Sequence, residues 1–344
     1  MNDRPAVLVT GGAGYIGAHC CRALHASGYH PVVFDNFSTG HRSFVTGSLV
    51  TGDLRDGAKL AHAFAQYDIV AVMHFAASSL VGESVADPRK YYTNNLAGTL
   101  SLLDAMREAG CDRLVFSSTG AVYGNADSKA LAEDFSCDPI NPYGASKWMI
   151  ERVLKDFRGA YGLGAFALRY FNASGADASG GIGELREPET HLIPRAMMAL
   201  QGHVPDFAVF GDDYETPDGT AIRDYIHVTD LAAAHVLALK LLMQGHRGGV
   251  FNLGTGKGFS VREILAAIAA ETSLAVPHAI RPRRPGDPAY LVADASAARK
   301  TLQFSPKHSD LATIVRTAWA WHQTAHPLRA DEPVRIGESL SPAA

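Results

Sequence analysis

Tyr143 and Lys147 stand four residues apart in the run Tyr143-Gly144-Ala145-Ser146-Lys147, a spacing that puts both side chains on one face of a helix. The pairing has a definite chemical use. A phenol ionises near pH 10, so making it a base at pH 7 means lowering it by ~3 units, roughly 4 kcal/mol at about 1.36 per unit. A neighbouring ammonium contributes to that, and a second positive group brought by a cofactor contributes further. Upstream, Ser117-Ser118-Thr119 ends a strand-like run, and the Thr119 hydroxyl can hydrogen-bond the substrate oxygen that Tyr143 deprotonates.

Such a base needs its cofactor close by, and the chain begins with a place for one. Thr10-Gly11-Gly12-Ala13-Gly14-Tyr15-Ile16-Gly17 follows the first strand-like run directly and opens a helix-patterned segment. Glycines there let the backbone approach a pyrophosphate, which the helix N-terminus stabilises. Asp35 ends the second strand-like run about 20 residues on, where a carboxylate accepts from a ribose hydroxyl. That carboxylate also repels a 2′-phosphate, and no arginine adjoins it in sequence, which favours NAD over NADP. The oxidised nicotinamide is then the second positive group. Asp53-Leu54 and Phe75-Ala76-Ala77 fall at the carboxyl ends of strand-like runs, where an open α/β sheet binds its ligand.

The elements that must position these residues show in the hydrophobic rhythm. Short β-branched runs at Ala6–Thr10, Pro31–Asp35, Ile69–His74, Arg113–Ser117 and Ala165–Arg169 alternate with longer helix-patterned segments, the signature of a doubly wound parallel sheet. Asp87-Pro88 reads as an N-cap with proline at the first helical position, opening a helix to about Glu108; Asn141-Pro142 opens another to about Tyr161. After Asn172, glycine and proline clusters suggest loops around a smaller mixed α/β lobe, while Tyr225–Lys240 reads as helix and Val250–Leu253 as strand. The expected division is a Rossmann-like NAD domain over 1–172, with the chain returning at about 222–255. A substrate lobe is expected over 173–221 and 256–344.

Composition bounds the rest. A chain of 344 residues, 47% hydrophobic, is long enough to bury roughly 75% of its unfolded surface. A net charge of -4, with acids and bases interspersed, provides no basic stripe for nucleic acid. Cys20, Cys21, Cys111 and Cys137 have neither metal-ligand spacing nor disulfide density, so they read as reduced thiols. No apolar run reaches the ~20 residues needed to span a bilayer, and no signal-peptide pattern precedes Ala6, so a soluble, cytoplasmic protein is expected. The histidines are scattered, and no metal is assigned.

With the Tyr143–Lys147 and Thr10–Gly17 motifs go His74–Ala77, Val81–Ser84, Tyr91–Asn95, Ser117–Gly124, Arg169–Asn172, Ile222–Val228, Asn252–Gly254 and Arg283–Asp287. Together, over nearly the whole chain, they resemble the extended short-chain dehydrogenase/reductase family and, within it, the UDP-glucose 4-epimerases. The resemblance implies reversible epimerisation of UDP-glucose and UDP-galactose at C4, through a 4-keto sugar, with NAD retained. It implies Tyr143 as general base, Lys147 as its electrostatic partner and nicotinamide-ribose ligand, and Thr119 as the hydroxyl of the triad. The cofactor contacts expected are Gly11, Gly12, Gly14, Tyr15, Ile16, Gly17, Asp35, Asn36, Asp53, Leu54, Phe75, Ala76, Ala77, Ser79, Asn94, Tyr143, Lys147, Tyr170 and Phe171. For the substrate, Arg223 and Arg284 are expected on the UDP diphosphate and Asp287 on the uridine ribose. Asn172, His191, Leu192, Ala208, Phe210 and Leu291 are expected around nucleotide and sugar, beside Thr119 and Tyr143.

Two positions depart from the pattern. Ser79 stands where some members carry a cofactor-contacting lysine, and His191 where some carry asparagine. Sister dehydratases place proton-transferring carboxylates directly after the triad hydroxyl, whereas this chain has Gly120-Ala121. A homodimer through the helices at Pro88–Glu108 and Pro142–Tyr161 is a further implication of the resemblance. The rival readings are a 4-epimerase for another UDP-sugar (UDP-N-acetylglucosamine, or UDP-xylose/arabinose) and a catalytically silent nucleotide sensor on the same fold.

Overall fold

A computed structural model describes residues 4–126, 128–284 and 286–326. The last 18 positions of the expected substrate lobe, and Pro285 within the Arg283–Asp287 motif, lie outside the described residues. In chain order the strands are β1 (Ala6–Thr10), β2 (His30–Asp35), β3 (Ser48–Thr51), β4 (Ile69–His74), β5 (Arg113–Thr119), β6 (Ser128–Leu131), β7 (Gly164–Tyr170), β8 (Asn172–Ser174), β9 (Ala208–Phe210), β10 (Ile222–His227), β11 (Gly248–Leu253), β12 (Gly258–Ser260), β13 (Ala279–Arg281) and β14 (Tyr290–Ala293). The helices are α1 (Tyr15–Ala26), α2 (Gly57–Gln66), α3 (Val81–Ala86), α4 (Pro88–Tyr91), α5 (Gly98–Glu108), α6 (Pro142–Tyr161), α7 (Leu192–Leu200), α8 (Val228–Met243), α9 (Val261–Thr272), α10 (Ser296–Leu302) and α11 (Leu311–Ala325).

Seven strands form an all-parallel sheet in the order β11-β7-β5-β4-β1-β2-β3. All five residues of β1 are buried, as both faces of a parallel sheet must be once helices cover them. The alternation of a strand divides them between two cores. Val7 and Val9 join Cys20, Leu24, Phe166 and Leu239 on one face; Leu8 joins Leu60, Leu102, Phe116, Ile150 and Leu154 on the other. The strand order reverses between β1 and β4, and at such a switch point an open α/β sheet leaves a crevice at its carboxyl ends.

The doubly wound sheet expected from the sequence is therefore present, with a five-stranded second sheet ordered β12-β10-β14-β6, where β8 also pairs with β10. A third core, around Ile193, Met197, Tyr225, Ile264, Ile268 and Ile314, underlies α7, α9 and α11. One expectation needs correcting. Helix was expected from Tyr225, but Tyr225, Ile226 and His227 complete β10, and α8 begins at Val228. The helical stretch from Pro88 to Glu108 is capped by the Asp87 carboxylate, which accepts from Lys90 N at 3.1 Å, but it widens into a π turn over Tyr92–Ala97. Among the described residues no helix is long and apolar enough to cross a membrane.

Candidate active site

At the switch point the glycine loop passes from β1 into α1. Gly11 holds φ +70°, and a Cβ there would lie 2.6 Å from Ala76 N in the segment after β4. A Cβ on Gly17 would lie 2.2 Å from Gly11 O, so the turn closes only with glycine at both places. Gly14 caps α1 with no side chain, and the first turn of α1 has no acid. The N–H groups that open this helix take no side-chain cap, which suits an anionic pyrophosphate.

The Asp35 carboxylate is buried at the end of β2, with one oxygen accepting from Ala13 N at 3.0 Å and the other from Phe37 N at 2.8 Å. It braces the glycine loop as well as facing the crevice. Asn36 donates to Asp53 at 3.0 Å, and Arg55 forks onto both Asp53 oxygens at 2.7 Å. These hydrogen bonds from Arg55 hold the Asp53 carboxyl well below the usual range. Asn36, Ser38, Arg55, Ser78 and Asn94 line an open cavity of about 410 Å³ beside them. Leu54 is buried against Gly98, and Phe75 N and Ala76 N both donate to Thr10 O, at 2.9 and 3.1 Å. Ile16 packs on the β1 core, Ala77 is half-buried, and Tyr15 donates to Gly175 O at 2.6 Å. These residues fit a dinucleotide with a free ribose 2′-hydroxyl.

Thr119, Tyr143 and Lys147 come together at the end of β5. Asn141 caps α6 through Gly144 N at 2.8 Å, and Pro142 at the first helical position sets Tyr143 in the opening turn. The half-buried phenol is hydrogen-bonded by Thr119. Burial raises it above its ordinary value, while that hydrogen bond and the Arg186 charge pull the other way. One turn on, Lys147 is buried, donates from Nζ to Ser117 O at 2.9 Å, and lies 4.8 Å over the Phe116 ring. Burial pushes it down to about 7, and the Glu151 carboxylate resists that.

Beneath the triad lies a buried network. Glu151 accepts from Ser118 Oγ at 2.5 Å and from the Arg169 fork at 3.0 and 2.6 Å, and Arg169 reaches Tyr123 at 2.9 Å. Tyr170 shares a short hydrogen bond with Ser117. Asn94 donates to Ser78 Oγ at 3.1 Å. Its neighbour Asn95, in the π turn, is fully engaged by Ser78 N, Ser78 O and Ser146 Oγ at 2.8, 3.0 and 3.0 Å. The π turn is what allows two successive asparagines to serve one site.

A second constellation sits on the smaller sheet. Arg223 Nη2 meets Asp287 Oδ1 at 2.5 Å, and Leu291 pairs with Arg223 across β10 and β14. Arg284 lies 4.1 Å over Phe210, whose strand β9 begins at Ala208. Leu291 and Phe171 pack on the cluster of Val122, Tyr123 and Leu131 that follows Thr119, which joins this group to the triad. Asn172 donates to Asp224 O at 3.0 Å, tying β8 to β10. A Cβ on Gly120 would meet the Phe171 ring at 2.8 Å, so a carboxylate has no room there.

A third group lies in residues 184–191, of which the sequence reading named His191 and missed Glu184 and Arg186. Arg186 Nε meets Glu184 Oε1 at 3.0 Å and its Nη1 donates to Ser79 Oγ at 3.2 Å. His191, which precedes Leu192 at the start of α7, meets the same Glu184 oxygen at 2.7 Å. The Glu184 charge raises His191, and His191 and Arg186 hold Glu184 low against its burial. Nothing periodic in that segment signals Arg186; only its charge amid glycines and acids does.

Comparison with known proteins agrees with this geometry. The NAD dependent epimerase/dehydratase family model matches residues 7–254. The UDP-glucose 4-epimerase of Rhizobium meliloti is 50% identical over 317 residues, 92% of this chain and 96% of that protein. The crystal structure of UDP-glucose 4-epimerase from Brucella ovis in complex with NAD is 54% identical with a TM-score of 0.90, covering 92% of this chain and 97% of that one. That from Bifidobacterium longum in complex with NAD+ and UDP is 38% identical with a TM-score of 0.87, covering 94% and 99%. The chain belongs to the NAD dependent epimerase/dehydratase family.

Proposed function

We propose that the chain interconverts UDP-glucose and UDP-galactose at C4, as an isomerase with NAD as its resident cofactor. The observation that carries the reading is the triad of Thr119, Tyr143 and Lys147 gathered at the β5 end beside the glycine loop, with Gly120-Ala121 where a proton-transferring pair would turn the 4-keto sugar to elimination. NAD, when bound, takes up and returns the hydrogen at sugar C4. Tyr143 removes and restores the O4 proton, and Thr119 orients that oxygen. Lys147 supplies positive charge and a ribose contact. Arg223 and Arg284 take the UDP diphosphate and Asp287 the uridine ribose, with Asn172, His191, Leu192, Ala208, Phe210 and Leu291 bounding nucleotide and sugar.

The intact triad speaks against a silent sensor. The working partition remains 1–172 with a return at 222–255 for NAD, and 173–221 with 256–344 for the sugar nucleotide. It is supported by β11 extending the central sheet, although β10 pairs within the smaller one. A homodimer is supported by Trp148 and Met149 on α6, Leu100 on α5 and Val85 on α3, all exposed apolar side chains. A cytoplasmic location is supported by four free cysteines.

The test is turnover of UDP-galactose by the purified protein with no added reductant, with UDP-N-acetylglucosamine and UDP-xylose in parallel. Stoichiometric consumption of NADH, or a need for NADPH, overturns the reading. Tyr143→Phe should lose at least ~100-fold in kcat while keeping its cofactor.

A further inference from the structure

We propose that Tyr91 is a positioning residue for this site: its ring stands edge-on to the Tyr143 ring, its hydroxyl is tied to the chain that follows β4, and together these hold the phenol in register with the cofactor crevice. The inference rests on the reading of Tyr143 as the base.

Other groups fix the two ends of Tyr143. Its hydroxyl is hydrogen-bonded by Thr119, and its main-chain carbonyl accepts from Ser146 Oγ at 2.7 Å. Neither contact sets the plane of the ring between them, which can turn about the axis from Cβ to the hydroxyl oxygen while both ends stay in place. That plane matters to a base. A phenol prefers its proton in the plane of the ring, so the plane decides the direction from which Tyr143 takes one up. Tyr143 lies in the opening turn of α6 and is only half-buried, so the surrounding core does not settle the matter.

Tyr91 does. The two ring centroids are 6.5 Å apart with their planes at 81°, an edge-to-face pair. Turning either ring would lose the match of a positive edge to a negative face. Tyr91 is itself held fast. It is fully buried, and its hydroxyl is shared between Leu80 O at 2.6 Å and Glu83 Oε2 at 2.9 Å, while Lys90 meets the other Glu83 oxygen at 2.5 Å. Leu80 closes the stretch that leaves β4 at Phe75, where Phe75 N and Ala76 N donate to Thr10 O beside the glycine loop. One side chain at the end of α4 therefore touches the base with its ring and the wall of the crevice with its hydroxyl. A phenylalanine would fill the same volume; the hydroxyl adds the tie.

The experiment uses the NAD-loaded protein. Tyr91→Leu should lower kcat for UDP-galactose by ~10-fold, with KM and bound NAD unchanged, since an ångström of misplacement costs up to ~100-fold. Tyr91→Phe keeps the ring and should return kcat to within ~3-fold of wild type. A double-mutant cycle separates aiming from general loss of structure: in the Tyr143→Phe background, which has no phenol to aim, Tyr91→Leu should cost less than ~2-fold. Ring-labelled 13C-tyrosine reads the placement directly. The Tyr143 signal, assigned by its absence from Tyr143→Phe, should shift and broaden in Tyr91→Leu and stay near its place in Tyr91→Phe. Tyr91→Met serves where the leucine variant does not fold. A kcat within ~2-fold of wild type, a loss that persists undiminished in the Tyr143→Phe background, or a Tyr143 signal that does not respond overturns the proposal. Failure of the functional reading looks different: the wild type then turns over no UDP-sugar, while the Tyr143 signal still responds to Tyr91→Leu.

Discussion

Removing the Glu151 carboxylate tests whether the buried network beneath the triad both holds the fold and sets the Lys147 charge. Glu151 and Arg169 are 6% and 5% exposed at their side chains and joined by two hydrogen bonds. Burial opposes the guanidinium, and the carboxylate more than restores it. Glu151→Gln keeps the shape but leaves Arg169 charged and buried with only neutral partners. Breaking such a pair costs about 3–5 kcal/mol, a large part of the 5–15 that folds a typical protein. Since glutamine still accepts from Ser118 and Arg169, the low end, ~3 kcal/mol, is expected. With a urea m-value near 3 kcal/mol per M, the midpoint falls by about 1 M, read by the fluorescence of Trp148, Trp319 and Trp321. Glu151→Leu with Arg169→Met should regain most of that, because the stranded charge is gone. The same substitution removes the one charge that resists the fall of Lys147 below about 7. Fewer lysines are then protonated at pH 7, so the alkaline limb of kcat moves to lower pH and more activity is lost at pH 8 than at pH 6. A midpoint within ~0.3 M of wild type, or an alkaline limb that stays in place, refutes the argument.

Gly17→Ala should yield protein without NAD after purification, measured as cofactor released by heat, because its Cβ would meet Gly11 O at 2.2 Å; normal occupancy would show that the loop yields. Burial holds His74 down at about 3 and His19, His227, His235 and His322 at about 4. Below about pH 6.5 the unfolded chain takes up these protons and the native one does not, so stability falls from pH 6.5 toward 4, by up to ~1.4 kcal/mol per pH unit for each. A urea midpoint unchanged between pH 7 and 5.5 would contradict it. Leu291→Gly should raise kcat/KM for UDP-N-acetylglucosamine relative to UDP-galactose by ~10-fold, and Leu291→Tyr should lower it, through room gained or lost beside Arg223 and Phe171; an unmoved ratio excludes Leu291 from sugar choice.

The parts legible in the sequence are those whose geometry is local. The glycine loop, Asp35, and the Tyr143–Lys147 pair each lie within one βα unit or one helix, so spacing alone places their side chains. The α8 start was misplaced because its cap is His227, whose ring nitrogen accepts from Thr229 N at 3.1 Å, and histidine is not a residue that signals a helix start. The π turn at Tyr92–Ala97 changes no hydrophobic period enough to be read. Arg186 was illegible for a different reason. It reaches Ser79 across 107 positions from a segment without regular structure, and only the folded backbone brings the two together.

On the proposed reading, the second constellation explains how one site can grip a nucleotide and still let a sugar turn. Arg223 and Asp287 satisfy each other at 2.5 Å, with side chains 13% and 34% exposed. An ion pair this near solvent is worth ~0–1 kcal/mol, so exchanging it for a diphosphate on the arginine and a ribose hydroxyl on the aspartate costs little. What replaces it is stronger, since a guanidinium and a phosphate form paired charge-assisted hydrogen bonds. Arg223 is fixed on β10 between β12 and β14, so the anchor for the nucleotide is built into a sheet. On the proposed reading, the side chains near the hexose are of another kind: Leu291 and the Thr119 and Tyr143 hydroxyls, with no charged fork among them. Affinity is therefore concentrated on the part of the substrate that stays still. A 4-keto sugar that must offer both faces to one cofactor needs the ring held by contact alone, and that is the character of the residues placed around it.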